Sequence, residues 1–314
     1  MKDLRPIIDF RQSSGIENRP DTIRQILVPS VNISLKENIY PLVDAVDVDI
    51  DDTQMVRKRL GRTKVYTGTN LHSLCHVGGV TYFVEGSTLK RFTTSYSTAT
   101  IATLSTSDRL RYAIVANKAY CTNGTDIGLL SNSVYTAFAP NLATTYKPTK
   151  AYKKVMPAGQ LIAYHKNRLY VAKGSKVYVS DPASHMVYDV REGFMNFSGY
   201  VTLMCPIEDG MWLADGRTYW IEGLTPDKFT STIVANYNAT LGSAITAEQN
   251  FVEGKEKTRV AFWLSDKGIC RGASGGDFKN LTLNKYNLTD VPRQYSAVFR
   301  NANHSSQIVF SGEA

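Results

Sequence analysis

The chain has 314 residues, 43% hydrophobic and 20% charged, and its 36 Lys and Arg outnumber its 28 Asp and Glu for a net charge of +8. With a mean hydropathy of -0.22 and a pI near 9.2, this composition excludes a disordered, fibrous or membrane-spanning chain, and no run approaches the ~20 apolar residues of a spanning helix. The positive excess permits a nucleic acid or acidic partner without requiring one.

In chain order, the opening Met1-Lys2-Asp3-Leu4-Arg5-Pro6 leads into polar residues and not the apolar stretch of about 7–15 residues of a secretory signal, so synthesis and folding in a cytoplasm are expected. Residues 1–22, with Arg5, Arg11 and Arg19, read as an N-terminal arm, and residues 23–314 as one domain that begins with a candidate strand, Ile23–Val28. Asp47-Val48-Asp49-Ile50-Asp51-Asp52 fails as an EF-hand loop, because Asp52 stands where glycine is needed and Lys58 where the bidentate Glu belongs. On a strand, Asp47, Asp49 and Asp51 form a negative edge, which the following Arg57, Arg59 and Arg62 can meet within the chain or from a neighbouring copy. These six residues are the candidate inter-subunit contacts, and a solvated surface is an equal reading.

His72-Ser73-Leu74-Cys75-His76 offers three zinc-ligand types. A regular strand, however, puts His72 and His76 on one face and Cys75 on the other, so structural histidines are expected and no metal. Cys75, Cys121, Cys205 and Cys270 have no CxxC spacing and read as reduced, buried small hydrophobes.

Five segments repeat one pattern: an alternating apolar run, a glycine corner and a second alternating run. They are Val80–Leu89, Ala119–Ile127, Leu169–Val179, Met211–Ile221 and Val260–Cys270. Each is predicted to be a β-hairpin with one side in a core, and the corner glycine supplies the positive φ of a tight turn. Gly86, Gly124, Gly174, Gly216 and Gly268 are 38, 50, 42 and 52 residues apart, which is near the length of a four-stranded propeller blade. The expected fold is therefore all-β: a β-propeller of about five to six blades in which each hairpin is the middle of a blade. Leu161–Tyr164, Val201–Met204 and Thr232–Ala235 supply further strands, and Gln307–Phe310 pairs with the N-terminal strand Ile23–Val28 to close the ring. Two successive β-sandwiches are the competing architecture.

Gly272-Ala273-Ser274-Gly275-Gly276 matches G-x-S-x-G, with Asp290 and His304 following in hydrolase order, but a strand–turn–strand context is expected where a nucleophile elbow needs strand–turn–helix. No recognition helix, RNP strand or zinc finger marks a specific nucleic-acid module.

Several of these stretches carry a resemblance: Arg62–Leu74 continuing through Tyr82–Phe92, Asn167–Pro182, and Asp209–Gly223 with Pro226-Asp227-Lys228-Phe229. In style they resemble virion structural proteins of tailed bacteriophages, in particular the nozzle or hub proteins of short tails. The resemblance implies a non-enzymatic tail component without cofactors. It would assemble with itself as a ring, expected to be hexameric, and contact the head-to-tail adaptor and other tail proteins, with DNA only as non-specific passing cargo. Its location would be the virion tail. The alternatives are a glycan-binding or sialidase-like glycan-cleaving propeller, suggested by Ser265-Asp266-Lys267-Gly268-Ile269, and a hydrolase using Ser274.

Overall fold

In the computed structural model, the described residues are 64–93, 95–140, 142, 152–182, 184–223, 226–248, 258–283 and 294–300 with 308–312, together with the backbone of residues 301–302 and 305–307 and of five short N-terminal strands. The short strands form two small sheets. β1 (Ser13–Ile16) and β2 (Ser30–Asn32) flank β3 (Glu37–Leu42), and β4 (Val48–Ile50) pairs antiparallel with β5 (Val56–Lys58). β1 lies within the residues read as an arm and pairs parallel with β3. The candidate strand Ile23–Val28 lies outside the described residues.

Beyond these strands the chain is a succession of five four-stranded antiparallel sheets. The first holds β6 (Leu71–Val77), β7 (Val80–Glu85), β8 (Thr88–Phe92) and β9 (Thr98–Thr103). The second holds β10 (Arg111–Val115), β11 (Lys118–Thr122), β12 (Ile127–Ser131) and β13 (Val134–Ala137). β14 (Lys153–Val155) then pairs with β18 (Val187–Asp189) as an excursion beside the third sheet, which is β15 (Leu161–His165), β16 (Arg168–Lys173), β17 (Lys176–Val179) and β19 (Phe194–Asn196). The fourth is β20 (Leu203–Pro206), β21 (Gly210–Ala214), β22 (Thr218–Glu222) and β23 (Thr230–Ala235), and the fifth is β24 (Ile245–Glu248), β25 (Arg259–Ser265), β26 (Gly268–Gly272) and β27 (Phe278–Asn280). A last hairpin joins β28 (Tyr295–Ala302) to β29 (Ser305–Gly312).

All five predicted hairpins are present, each as the two central strands of its sheet, and all five corner glycines have positive φ. One-sided burial, expected of the hairpin strands, holds in β12 and β17, where buried and half-buried residues alternate, but every residue of β21 is buried. Met211 and Leu213 enter the core shared with the third sheet, whereas Trp212 and Ala214 enter the core shared with the fifth. A strand flanked by sheets on both faces must be apolar on both.

The same logic runs along the chain. One core lies between the first and second sheets around Tyr82, Val84, Leu89, Cys121 and Leu130, and another joins Ala113 to Ile162, Leu169 and Val171. The last core sets Phe299 and Ile308 against Val260 and Phe262 of the fifth sheet. Gln307–Phe310 belongs to β29 and pairs with Ala297–Arg300 of β28; Ile23–Val28, the strand expected to close the ring with it, lies outside the described residues. A contiguous antiparallel hairpin closes a short loop at low entropic cost.

Candidate functional site

The first strand of each sheet faces a common interior: β6 packs against β10, β10 against β15, and β15 against β20, while β24 packs against β28. Between them lies a cavity of about 1380 Å³ whose walls include His72, Arg111, Leu161, Cys205, Thr246 and Val298. A smaller cavity of about 340 Å³ adjoins it at the end where the central hairpins turn, and Arg109 and Arg111 line both. Arg109 Nη1 donates to Ser296 Oγ at 3.0 Å and Arg111 Nη1 to the Tyr295 carbonyl at 3.4 Å, so the guanidiniums tie the second sheet to the last hairpin. Lys173 and Asp108 also line the smaller cavity, leaving cations in excess there.

At this end a second pattern recurs, which sequence reading did not single out. The segment entering each sheet is hydrogen-bonded to that sheet's own central corner. In the first sheet the Thr69 N–H donates to Glu85 Oε1 at 3.1 Å and the Tyr66 hydroxyl to Oε2 at 2.9 Å. In the second, Asp126 accepts from Ser105 N–H at 2.9 Å and Ser105 Oγ at 2.7 Å. In the fourth, Asp215 Oδ2 accepts from Ser198 N–H, Ser198 Oγ and Gly199 N–H at 3.0, 2.9 and 3.1 Å. The third sheet uses Gln160, whose amide exchanges two bonds with the backbone of Gly174; in the fifth, Ser243 Oγ accepts from Leu264 N–H at 3.0 Å, near the end of β25 and just before the corner.

Further bonds run from the second, third and fourth corners to the next sheet's entry. Thr122 Oγ1 accepts from Gly159 N–H at 3.0 Å, the Val201 N–H donates to Gly174 O at 3.0 Å, and Asn238 Oδ1 accepts from Gly216 N–H at 3.0 Å. The signal available in the sequence was the acid beside the corner, in Glu85-Gly86 and Asp215-Gly216. The reading assigned these residues to the turn and not to a second, tertiary bond.

Electrostatics follow from this geometry. The bonds from Lys90, Tyr66 and Thr69 hold the Glu85 carboxyl below its usual range. Burial works to raise Asp215, but its bonds from Gly199, Ser198, Tyr219 and Arg217 outweigh that and leave it lowered. In the excursion, Arg191 foremost holds Asp189 well below the carboxylate range, with Lys153 3.4 Å away on the other side.

Of the six candidate inter-subunit contacts, only Asp49 and Arg57 fall among the described residues. Asp47, Asp51, Arg59 and Arg62 lie outside the described residues, as do Asp290 and His304. Asp49 falls opposite Arg57 in the register of the β4–β5 hairpin, inside one chain.

In β6 a bulge between His72 and Cys75, with Ser73 at φ 58, inserts one residue. His72 then stands opposite Val84 and Cys75 opposite Tyr82 on one face, with His76 opposite Thr81 on the other. This inverts the expected grouping of His72 with His76, because an extra residue shifts every later side chain to the other face. The His72 ring is held by Ser73 Oγ at 2.7 Å and the Gly86 carbonyl at 3.1 Å, and His76 Nδ1 lies 2.8 Å from Thr81 Oγ1. Among the described residues no group of three His, Cys, Asp or Glu side chains is placed to hold a metal ion.

Ser274 opens a three-residue 3-10 turn between β26 and β27, so its setting is the expected strand–turn–strand. Ser265 spends its hydroxyl on its own turn: it accepts from Lys267 N–H at 3.1 Å and donates to Gly268 O at 2.8 Å. All four cysteines are free and buried.

No family model matches the chain, and no curated protein matches it. Among solved structures it resembles virginiamycin B lyase from Staphylococcus aureus, with TM-score 0.46 and 8% identity over 79% of this chain and 86% of that one. It also resembles BBS1N in complex with ARL6DN, with TM-score 0.49 and 11% identity over 83% and 78% of the two chains. For the N-terminal domain of Nup159 the values are 0.43 and 8%, over 73% and 70%. At these identities none of the three lends its role to this chain. No helix among the described residues is long and apolar enough to cross a membrane.

Proposed function

We propose that this chain is a non-enzymatic structural part: a β-propeller of about five to six blades that acts through its shape inside a larger assembly. The observation that carries the reading is the repeated latch. The corner acids Glu85, Asp126 and Asp215, the Gln160 amide and the Ser243 hydroxyl are all engaged in fixing one sheet's entry to its own corner. Polar side chains that a binding or catalytic site would leave free to meet a substrate are here spent on holding the frame. The last hairpin, packed on the fifth sheet, supplies part of a sixth blade.

The resemblance of Arg62–Leu74 with Tyr82–Phe92, of Asn167–Pro182, and of Asp209–Gly223 with Pro226–Phe229 to tail nozzle proteins supplies the assembly: a bacteriophage tail, with copies arranged as a ring around the DNA exit channel. In this reading DNA is only non-specific passing cargo in the channel between the copies. Mass spectrometry of purified tailed particles produced from the encoding genome tests the proposal, together with electron microscopy to place the chain. The expected result is a stoichiometric tail component. Absence from the particles, or turnover of a substrate by the isolated chain, overturns it.

A further inference from the structure

The smaller cavity, about 340 Å³ at the corner end of the sheets, gathers side chains from segments far apart in the chain. Asp108 and Arg109 come from the entry to the second sheet and Arg111 from the start of β10. Lys173 stands beside the third corner, Tyr200 lies in the entry to the fourth sheet, and Gln294 just precedes β28. Among these described lining residues three cations face one carboxylate, an excess of two positive charges. Cations drawn into one concavity focus a field that raises the local concentration of anions. The two guanidiniums are also fixed in place. Arg109 is held by Ser296 Oγ at 3.0 Å and Arg111 by the Tyr295 carbonyl at 3.4 Å. Both acceptors are neutral, so these bonds set position without cancelling charge. Arg111 can reach Tyr295 because residue 242 is glycine: a Cβ there would collide with Arg111 Nη1 and with the Tyr295 carbonyl, and φ is 79. Tyr295 is tied in turn to the entry of the fifth sheet, its N–H donating to Leu241 O at 2.9 Å. Tyr200 is near enough for the Arg111 charge to act on its hydroxyl, which adds a neutral donor to the same wall.

We infer that this cavity binds a phosphate dianion, either inorganic phosphate or the terminal group of a small phosphomonoester. The excess of two charges favours a dianion over chloride or a single carboxylate. The planar guanidinium fork matches phosphate oxygens in two-bond geometry, and Lys173 adds a point charge. Because Arg109 and Arg111 are already anchored, little side-chain ordering remains to be done when the anion arrives. The volume falls within the ~300–1,000 Å³ of small-molecule sites and leaves room beyond a phosphate for the rest of a small ester. Duplex DNA is too wide to enter a cavity of this size, and each of its phosphates carries a single charge. The bound dianion would join the second and third sheets to the last hairpin, elements that the chain itself connects only through the sheets between. This inference goes beyond the structural role proposed above and does not depend on it.

Titration calorimetry of the full chain with inorganic phosphate and with ribose 5-phosphate tests the site, at neutral pH and with ionic strength held constant so that screening does not vary. One molecule should bind per chain, and the tighter of the two identifies the source of the phosphate. Arg111→Gln should weaken binding about tenfold, the loss of one charge-assisted bond. Lys173 is exposed, so its replacement leaves the packing alone. Lys173→Glu should weaken binding by more than tenfold and Lys173→Arg should retain it. Lys118→Glu makes the same change in net charge at the exposed β10–β11 turn, the far end of the second sheet, and should leave binding as it was. Tryptophan fluorescence identical to that of the unsubstituted protein shows that the sheets of each variant are intact. Absence of saturable binding by either phosphate, equal weakening by Lys173→Glu and Lys118→Glu, or displacement of ribose 5-phosphate by duplex DNA overturns the proposal. Particle composition, by contrast, reports only on the tail reading.

Discussion

Gly272 lies beneath the indole of Trp212: a Cβ built there would come within 2.3 Å of Cε2 and 2.5 Å of Nε1. Its backbone φ is ordinary, so the need for glycine at this position is one of space between β26 and the fourth sheet. Gly268 differs, combining φ 118 with a Cβ position 2.2 Å from Thr282 Oγ1, so both conformation and space call for glycine there. Gly272→Ala should destabilise by about 1–3 kcal/mol, the usual cost of overpacking a filled core. Urea unfolding followed by tryptophan fluorescence reads this directly. The chain's three tryptophans, Trp212, Trp220 and Trp263, all lie in this one core, with Trp212 5.1 Å and 5.4 Å from the other two ring centroids. An unchanged midpoint would mean that the indole moves aside freely. Gly272 was legible only as part of a sequence motif, because the side chain that crowds it comes from another sheet.

At the scale of the elements, what distinguishes these sheets from isolated hairpins is the bond from each entry segment to its corner. Asp215 is the most heavily used, with three donors on one buried oxygen. Asp215→Ala should cost about 2–3 kcal/mol at neutral pH, since it leaves the Ser198 and Gly199 amides without their charged acceptor. The pH dependence has a definite sign. A carboxyl whose folded pKa is lowered contributes stability in full above its ordinary value, near 3.8, and loses that contribution as the pH falls through the lower folded value. Thermal unfolding of the variant and the unsubstituted protein at pH 7 and near pH 2 should therefore show a gap that narrows in acid. A gap of equal size at both would assign the loss to packing. The hairpins themselves were legible because alternation and a glycine corner act within about ten residues. The bulge at Ser73 and the pairing of β28 with β29 were not, since register and partner choice depend on the strand across the ladder.

Across the whole molecule, the cores lie between successive sheets, and each cysteine is placed in one of them. Burial pushes the thiols up to about 11 at Cys75 and Cys270 and about 12 at Cys121 and Cys205. A thiol of that pKa holds almost no thiolate at neutral pH and is shielded as well. Labelling by a thiol reagent at pH 7 should therefore find essentially none of the four reactive in the folded protein and all four reactive in urea. Rapid labelling of any one without denaturant would place it outside the cores described. By itself the sequence determined that the chain is all-β, where the five central hairpins lie, that their corners take positive φ, and that the cysteines are buried small hydrophobes. Each of these rests on interactions between near neighbours, or on composition, and so is written locally. The tertiary structure alone decided that β21 buries both faces, that a bulge reassigns the faces of β6, and that corner acids bind the entry of their own sheet. It also decided that the last two strands pair with each other. These outcomes depend on which surfaces, distant along the chain, exclude water from one another, and no local pattern carries that information.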